Sequence, residues 1–285
     1  MKKKYPNNLK NRNFSDEEHL RFDSEKTGPL LDIGDVFSGS KMRCSAKEKT
    51  DSSSRMGMRL SKVLAASGVA SRRACEKIIV DGRVRVNGNQ VIVPQTLVDP
   101  TSDIIEVDGQ KVQAMPPRVY FLLHKPLGYV CTNDPKVKRR AVDLIPYEER
   151  LFTIGRLDKD TSGLILVTND GHFAHKLMHP SGGIQKEYLV KVDKELSHDD
   201  LVALSQGCMV EGVRVSPASV KKVRHGTMKI VVHEGRHHEV RALVEAAGME
   251  VLELKRIRIG PLLLGKLEVG ACKRLSQKEI ETLFT

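Results

Sequence analysis

The sequence predicts an α+β protein in which a small helix–helix–strand domain precedes a longer region of strands and helices. Three features support this: helical spacing that begins after a polar leader, two Asx-Gly hairpin signals, and a break at Pro116-Pro117. The leader is rich in Lys, Asn, Ser and Asp, which is typical of a disordered tail. The expected divisions are residues 1–57 for the tail, 58–115 for the small domain and 116–285 for the larger domain.

The small domain is expected to begin with two short helices. Apolar residues between Leu60 and Leu64 follow helical spacing, Gly68 ends this helix, and Ser71 can cap a second one. Short strands then flank Asn87-Gly88 and Asp108-Gly109, and both dipeptides favour two-residue hairpin turns.

The composition indicates a folded protein with a polyanionic partner. Hydrophobic residues make up 40% of the chain, the formal net charge is +11 and the pI is about 9.4. Such a charge favours nucleic acid over an acidic small molecule.

Cysteine usage and hydropathy exclude several other classes of protein. The five cysteines are scattered without a C-x-x-C pair, so we expect no zinc site and no disulfide framework. The chain lacks an apolar stretch of the roughly 20 residues that a membrane helix needs, and its amino terminus lacks a secretory core. We expect a cytoplasmic protein without membrane contact, with the plastid stroma as the alternative.

Basic residues are concentrated on the small domain and predict contact with RNA phosphates. Arg72 and Arg73 fall in the first turn of the second helix, where the helix dipole disfavours cations unless an anion docks there. A phosphate is attracted by these side chains and by the free amides together. The candidate RNA-binding residues are Arg59, Lys62, Arg72, Arg73, Lys77, Arg83 and Arg85.

The segment "RLSKVLAASGVASRRACEKIIVDGRVRVNGNQV" resembles the RNA-binding domain named after ribosomal protein S-four. The resemblance extends along nearly the whole segment. It implies recognition of structured RNA by shape and phosphate contacts.

The stretch "GRLDKDTSGLILVTNDG", from Gly155 to Gly171, places four charged residues between two apolar segments. Rigid flanking segments position polar groups accurately, as a catalytic site requires. Asp158 needs a cationic partner there, because burying an unpaired carboxylate is costly. Candidates are Arg156 and the arginines of "HEGRHHEVRALVEAAG", in which Arg241 lies off the apolar helical face.

Three chemistries use residues of these kinds. A metal-dependent phosphohydrolase is suggested by the D-x-D pair Asp158 and Asp160, but adjacent histidines on a helix, as at His237 and His238, point about 100° apart. A nucleotide-driven enzyme needs a phosphate loop, and the sequence contains neither glycine-rich motif. Cofactor-free chemistry on RNA with a carboxylate as nucleophile or base is the remaining option.

"GRLDKDTSGLILVTNDG" resembles the signature motif of pseudouridine synthases of the RsuA/RluB group. The segments "HKPLGYV", "KEYLV", "EGRHHEVRALVEAAG" and "LKRIRIGPLLLGKLEVG" follow in the family's order, so the likeness covers residues 58–285. It implies a mixed sheet flanked by helices with the site in a cleft. It also implies that Asp158 is the catalytic aspartate, that Tyr188 contacts the target base and that Arg241 pairs with Asp158.

The resemblance implies conversion of uridine to pseudouridine in ribosomal RNA, preferably of the large subunit, without cofactor or metal. Expected partners are ribosomal RNA or a pre-ribosomal particle, and we expect a monomer. Arg156 is expected to bind RNA phosphate at the site. Arg256 and Arg258 share a strand face and either extend the RNA path or are solvated. A non-catalytic ribosome-assembly factor with the same fold is the rival interpretation.

Overall fold

The computed structural model describes residues 57–233 and 235–284, so the predicted tail lies outside the described residues except for Gly57. Its small domain contains two helices and six short strands. In chain order these are β1 (Met58–Arg59), α1 (Leu60–Ala66), α2 (Arg72–Val80), β2 (Val84–Val86), β3 (Asn89–Val91), β4 (Leu97–Val98), β5 (Ile105–Val107) and β6 (Gln110–Lys111).

Local sequence signals determine the turns of this small domain as predicted. The Ser71 hydroxyl caps α2 by accepting a bond of 3.2 Å from the amide of Ala74. Asn87 and Asp108 have φ angles of 51° and 53°, so both hairpins use the left-handed turn conformation that Asx-Gly pairs permit. Strands β3, β2, β5 and β6 form one sheet in that order, and β1 pairs with β4. The two helices and both hairpins are confirmed.

The larger domain contains eleven strands and four α-helices among the described residues. The first six in chain order are β7 (Tyr120–Lys125), β8 (Phe152–Ile154), β9 (Ser162–Thr168), α3 (Gly171–Met178), β10 (Lys186–Val192) and α4 (His198–Gln206). They are followed by β11 (Cys208–Val210), β12 (Val213–Val215), β13 (Ser219–Arg224), β14 (Thr227–Val232), α5 (Glu239–Ala246), β15 (Val251–Ile259), β16 (Leu262–Leu263), β17 (Cys272–Arg274) and α6 (Gln277–Glu281).

Nine of these strands form one mixed sheet. The order is β13-β14-β10-β15-β9-β7-β17, with β16 beside β15 and β8 beside β9. β9 and β15 pair in parallel, whereas the other strand pairs of this sheet are antiparallel. The mixed sheet that the resemblance implied is therefore confirmed.

Both faces of the sheet are buried at β9, which explains the continuous apolar run of this strand. Ile165 and Val167 join a core that includes residues of α4 and α5, whereas Leu164 and Leu166 join a second core with residues of α3. A strand covered on both sides loses the usual alternation of apolar and polar residues. In the described part of the chain, every helix is too short or too polar to cross a bilayer.

Candidate active site

The loop between β8 and β9 holds the predicted catalytic aspartate. Leu157 is buried, and its amide donates to the sulfur of Cys131 at 3.4 Å. On the other side of Asp158, the carbonyl of Lys159 accepts a 2.7 Å bond from the amide of Gly128. The Thr161 amide closes the loop onto the Asp158 carbonyl at 3.1 Å. The loop is thus fixed on both sides of a carboxylate whose side chain is 25% exposed.

A cavity of about 680 Å³ opens beside this loop, which is within the usual size range of ligand pockets. Its walls come from the β8–β9 loop, from β10, from the turn before α5 and from β15. The four predicted site residues Arg156, Asp158, Tyr188 and Arg241 all line this cavity. The structure therefore brings together residues that lie up to 85 positions apart, between Arg156 and Arg241.

Arg241 lies at the cavity, but it pairs with a different carboxylate from the expected one. Its Nη2 lies 3.0 Å from Oδ2 of Asp160 and also donates to the Asp160 carbonyl at 3.2 Å. The expected pairing with Asp158 is therefore wrong. The reason is the turn of the loop: Asp158 lines the cavity, whereas Asp160 is largely exposed and lies where α5 approaches the loop.

His238 approaches Asp158 instead. Its Nε2 lies 3.6 Å from Oδ2 of Asp158, and its ring stacks on that of His237 with centroids 3.9 Å apart. Both histidines precede α5, and His238 has a left-handed backbone with φ of 54°. The prediction that they diverge along a helix is wrong, because neither belongs to one.

Asp158, His237 and His238 each offer a ligand atom, and these atoms lie within 4.8 Å of one another. Carboxylate and imidazole groups are donors that divalent transition metals accept. These are the described side chains at the cavity that could surround a metal ion, and both imidazoles are exposed.

Lys125 is a buried cation near Asp158 that sequence analysis missed. Its side chain is fully buried, and Nζ donates to the carbonyls of Pro126 at 3.0 Å and Tyr129 at 2.8 Å. Burial lowers the pKa of this amine, while the nearby acidic groups of Cys131 and Asp158 act in the opposite direction. Lys125 is the second residue of "HKPLGYV", a segment that resembles the family. The sequence therefore drew attention to this position but did not indicate what the lysine does.

Tyr188 is buried at the cavity wall and contacts Arg256, which lies opposite on β15. Arg256 is 3% exposed and lines the cavity, so the expectation that it is solvated is wrong, while a place along the RNA path stays a prediction. Its Nε donates to the Leu164 carbonyl at 2.7 Å, and its Nη1 donates to the Tyr188 hydroxyl at 3.5 Å. Arg258 is half-buried and bonds the carboxylate of Glu187 at 2.7 Å.

The seven basic candidates on the small domain are all exposed, but they are not equally free. Arg83 makes a two-pronged ion pair with Asp108 at 2.8 and 2.5 Å, and the hydrogen bond lowers the pKa of Asp108. Arg72 lies 3.4 Å from Glu76 on the same helix. These pairs leave the side chains accessible, while Arg83 already has a carboxylate partner that a phosphate would have to replace.

Comparison with known proteins identifies both domains. Residues 119–246 match the model of the RNA pseudouridylate synthase family, and residues 58–105 match the S4 domain. Ribosomal large subunit pseudouridine synthase B of Bacillus subtilis is 42% identical over 79% of this chain and 95% of its own length.

Two further proteins are similar over most of this chain. A putative chloroplastic ribosomal large subunit pseudouridine synthase of Arabidopsis thaliana is 48% identical over 79% of this chain. The match covers only 60% of the length of that relative. A crystal structure of a pseudouridylate synthase aligns with a TM-score of 0.58 and 30% identity, over 79% of this chain and 99% of that one. This chain therefore belongs to the RNA pseudouridylate synthase family and carries an S4 domain ahead of its synthase domain.

Proposed function

We propose that this chain converts a specific uridine of ribosomal RNA to pseudouridine, with large-subunit RNA preferred over small-subunit RNA. The similarity to the large-subunit synthase of Bacillus subtilis, which covers 95% of that protein, supports the choice of substrate. The observation that carries the proposal is the cavity that both Asp158 and Tyr188 line.

The reaction needs a carboxylate beside the sugar of the target nucleotide. Pseudouridine forms when the bond between N1 and C1′ breaks, the base turns, and C5 bonds to C1′. In one route Asp158 attacks C1′; in the other it removes the C2′ proton. Both routes require an ionised carboxylate in a site that excludes water. The fixed β8–β9 loop supports this proposal because it holds Asp158 at the wall of the cavity.

Tyr188 and Arg156 are proposed to hold the flipped nucleotide. In this proposal the ring of Tyr188, which is buried, gives the base an apolar surface, and its hydroxyl takes part in proton transfer at C5. Arg156 is exposed at the cavity rim, where the RNA backbone of an extruded nucleotide must pass. Phosphate contacts of this kind offset the cost of unstacking the base, a few kcal/mol.

The proposed partner is ribosomal RNA, free or in a pre-ribosomal particle, and the proposed acting species is a monomer without cofactor or metal. The S4 domain supports RNA as the partner, because its exposed basic side chains suit a phosphate backbone. The proposed location is the cytoplasm; the chloroplastic relative supports the plastid stroma as the alternative.

Replacing Asp158 by Asn tests the catalytic assignment. The amide keeps the size of the side chain but cannot act as nucleophile or base, so we expect pseudouridine formation to fall at least about a hundredfold. RNA affinity should stay close to wild type, since the phosphate-binding side chains are unchanged. The measurement is pseudouridine mapping of ribosomal RNA from cells that carry wild-type chain, the variant or neither. Undiminished modification by Asp158→Asn would contradict the assignment, and an identical map without the chain would contradict the proposed substrate.

A further inference from the structure

Arg256 combines a buried charge with a position at the cavity. The residue is 3% exposed and lines the wall from β15. Among the described residues, no carboxylate lies within ion-pair distance of its guanidinium. A buried cation without a counter-ion is costly, so its retention in a core strand calls for a function beyond packing.

The hydrogen bonds of Arg256 connect two parts of the site. Nε donates to the carbonyl of Leu164, which lies on the strand that follows the catalytic loop. Nη1 donates to the hydroxyl of Tyr188. Nη2 is buried and has no hydrogen-bond partner in the described structure. The guanidinium of Arg256 therefore connects β9, the strand that follows Asp158, with the hydroxyl of Tyr188 on β10.

Gly163 allows this arrangement. It lies opposite Arg256 in the parallel pairing of β9 and β15, with φ of +112°. A Cβ at position 163 would lie 2.2 Å from the carbonyl oxygen and 2.6 Å from the amide nitrogen of Arg256. Only glycine permits so close an approach, so the "TSG" of the signature stretch brings the Arg256 backbone against the catalytic strand.

The contact with Arg256 determines whether the Tyr188 hydroxyl can donate a hydrogen bond into the cavity. Arginine has only donors, so the phenol oxygen must accept in its contact with Arg256. The hydroxyl's own hydrogen then has to point elsewhere, and the described residues around Tyr188 supply no acceptor for it. The cavity is the remaining direction, since Tyr188 lines it.

We propose that Arg256 is a positioning residue that holds the Tyr188 hydroxyl as a hydrogen-bond donor toward the flipped base. The edge of uracil offers two carbonyl oxygens that can accept this bond. This role rests on the proposed function, because it assumes that a uracil ring occupies the cavity. It assigns Arg256 to the reaction through Tyr188 and not through direct contact with the RNA backbone.

The test combines Arg256→Lys with Tyr188→Phe in a double-mutant cycle on the full chain. A lysine keeps the charge, but its single nitrogen does not reproduce the fork that serves Leu164 and Tyr188 together. We expect Arg256→Lys to lower kcat about tenfold or more, with KM for the RNA changed by less than about threefold. In the Tyr188→Phe background, which lacks the hydroxyl, the same change should lower kcat by less than about twofold.

Arg258→Lys is the matched control, because Arg258 lies on the same strand and pairs with Glu187 away from the cavity. Its kcat should stay within about twofold of wild type. Equal losses from Arg256→Lys in both backgrounds would overturn the proposal, as would an unchanged kcat in the single variant. If Arg256→Lys lacks a cooperative thermal transition, Arg256→Gln replaces it in the same cycle. An inactive wild-type chain would instead count against the proposed function, since the cycle compares variants of an active enzyme.

Discussion

At the scale of single residues, the two aspartates of the D-x-D pair in the β8–β9 loop have different partners. Asp158 lines the cavity and contacts His238, whereas Asp160 receives the guanidinium of Arg241. The buried amine of Lys125 is a further positive charge near the loop, and its pKa responds to Asp158. The electrostatic environment of the Asp158 carboxylate is therefore shared among several groups and does not depend on one ion pair.

Asp160→Asn separates the two carboxylates. The Asp160 side chain is 67% exposed, and the variant keeps both the backbone carbonyl and an amide oxygen as acceptors for Arg241. We therefore expect the free energy of unfolding to change by less than about 1 kcal/mol and kcat to fall by less than about tenfold. Urea unfolding and single-turnover assays measure these effects. A loss of activity as deep as that of Asp158→Asn would show that Asp160 takes part in the chemistry.

At the scale of elements, β9 is the strand that positions the site. Its apolar side chains anchor it in the two cores on either side of the sheet, and its amino-terminal end follows the β8–β9 loop that contains Asp158. The parallel contact with β15 at Gly163 then aligns the loop with Arg256. A small shift between β9 and β15 at Gly163 would therefore displace side chains on two walls of the cavity.

Gly163→Ala tests this crossing. The new methyl would clash with the backbone of Arg256 at a φ that alanine rarely adopts, so we expect at least about 3 kcal/mol of destabilisation and a large loss of activity. Gly155→Ala is the control, because Gly155 also has a positive φ of +72° but no atoms within 4 Å of the new Cβ. It should cost only about 1–2 kcal/mol. Equal urea midpoints for the two variants would contradict the steric argument.

At the scale of the whole molecule, the net charge of +11 makes a polyanionic partner favourable over the surface as a whole. The S4 domain concentrates exposed basic residues, but the ion pairs there show which of them are already partly neutralised. Arg83 is held by Asp108, whereas no ion-pair partner of Arg73 occurs within the described structure. Contributions to RNA affinity should therefore differ among residues of the same charge.

Replacing both Arg72 and Arg73 by Ala is expected to weaken RNA binding and to flatten its salt dependence. Each lost phosphate contact should reduce the slope of log K against log salt by roughly 0.7–0.9. Arg83→Ala should change the slope less than Arg73→Ala, because Asp108 already neutralises Arg83, whereas the described structure shows no ion-pair partner for Arg73. Filter binding over a series of salt concentrations measures the slopes. An unchanged slope in the double variant would refute docking of RNA at the start of α2.

Much of the fold was predictable because its signals are local. The cap at Ser71, the hairpins at Asn87 and Asp108 and the apolar run of β9 each depend on a few neighbouring residues. Arg256 was not predictable in this way, because its burial depends on close contact with Gly163, 93 positions earlier in the chain. The alternation of arginine and isoleucine along β15 suggested that the arginines lie on a solvated face. In the folded protein the helices and strands packed around this strand exclude water from Arg256.

The sequence by itself determined the family-like motifs, the order of the elements and the residue types available for chemistry at Asp158, Tyr188 and Arg241. Only the tertiary structure decided which side chains meet: Arg241 with Asp160, His238 with Asp158, and Arg256 with Tyr188. The physical reason is that side-chain partners are selected by distances of about 3 Å between segments far apart in the chain. Those distances depend on strand register and loop path, which spacing along the sequence does not encode.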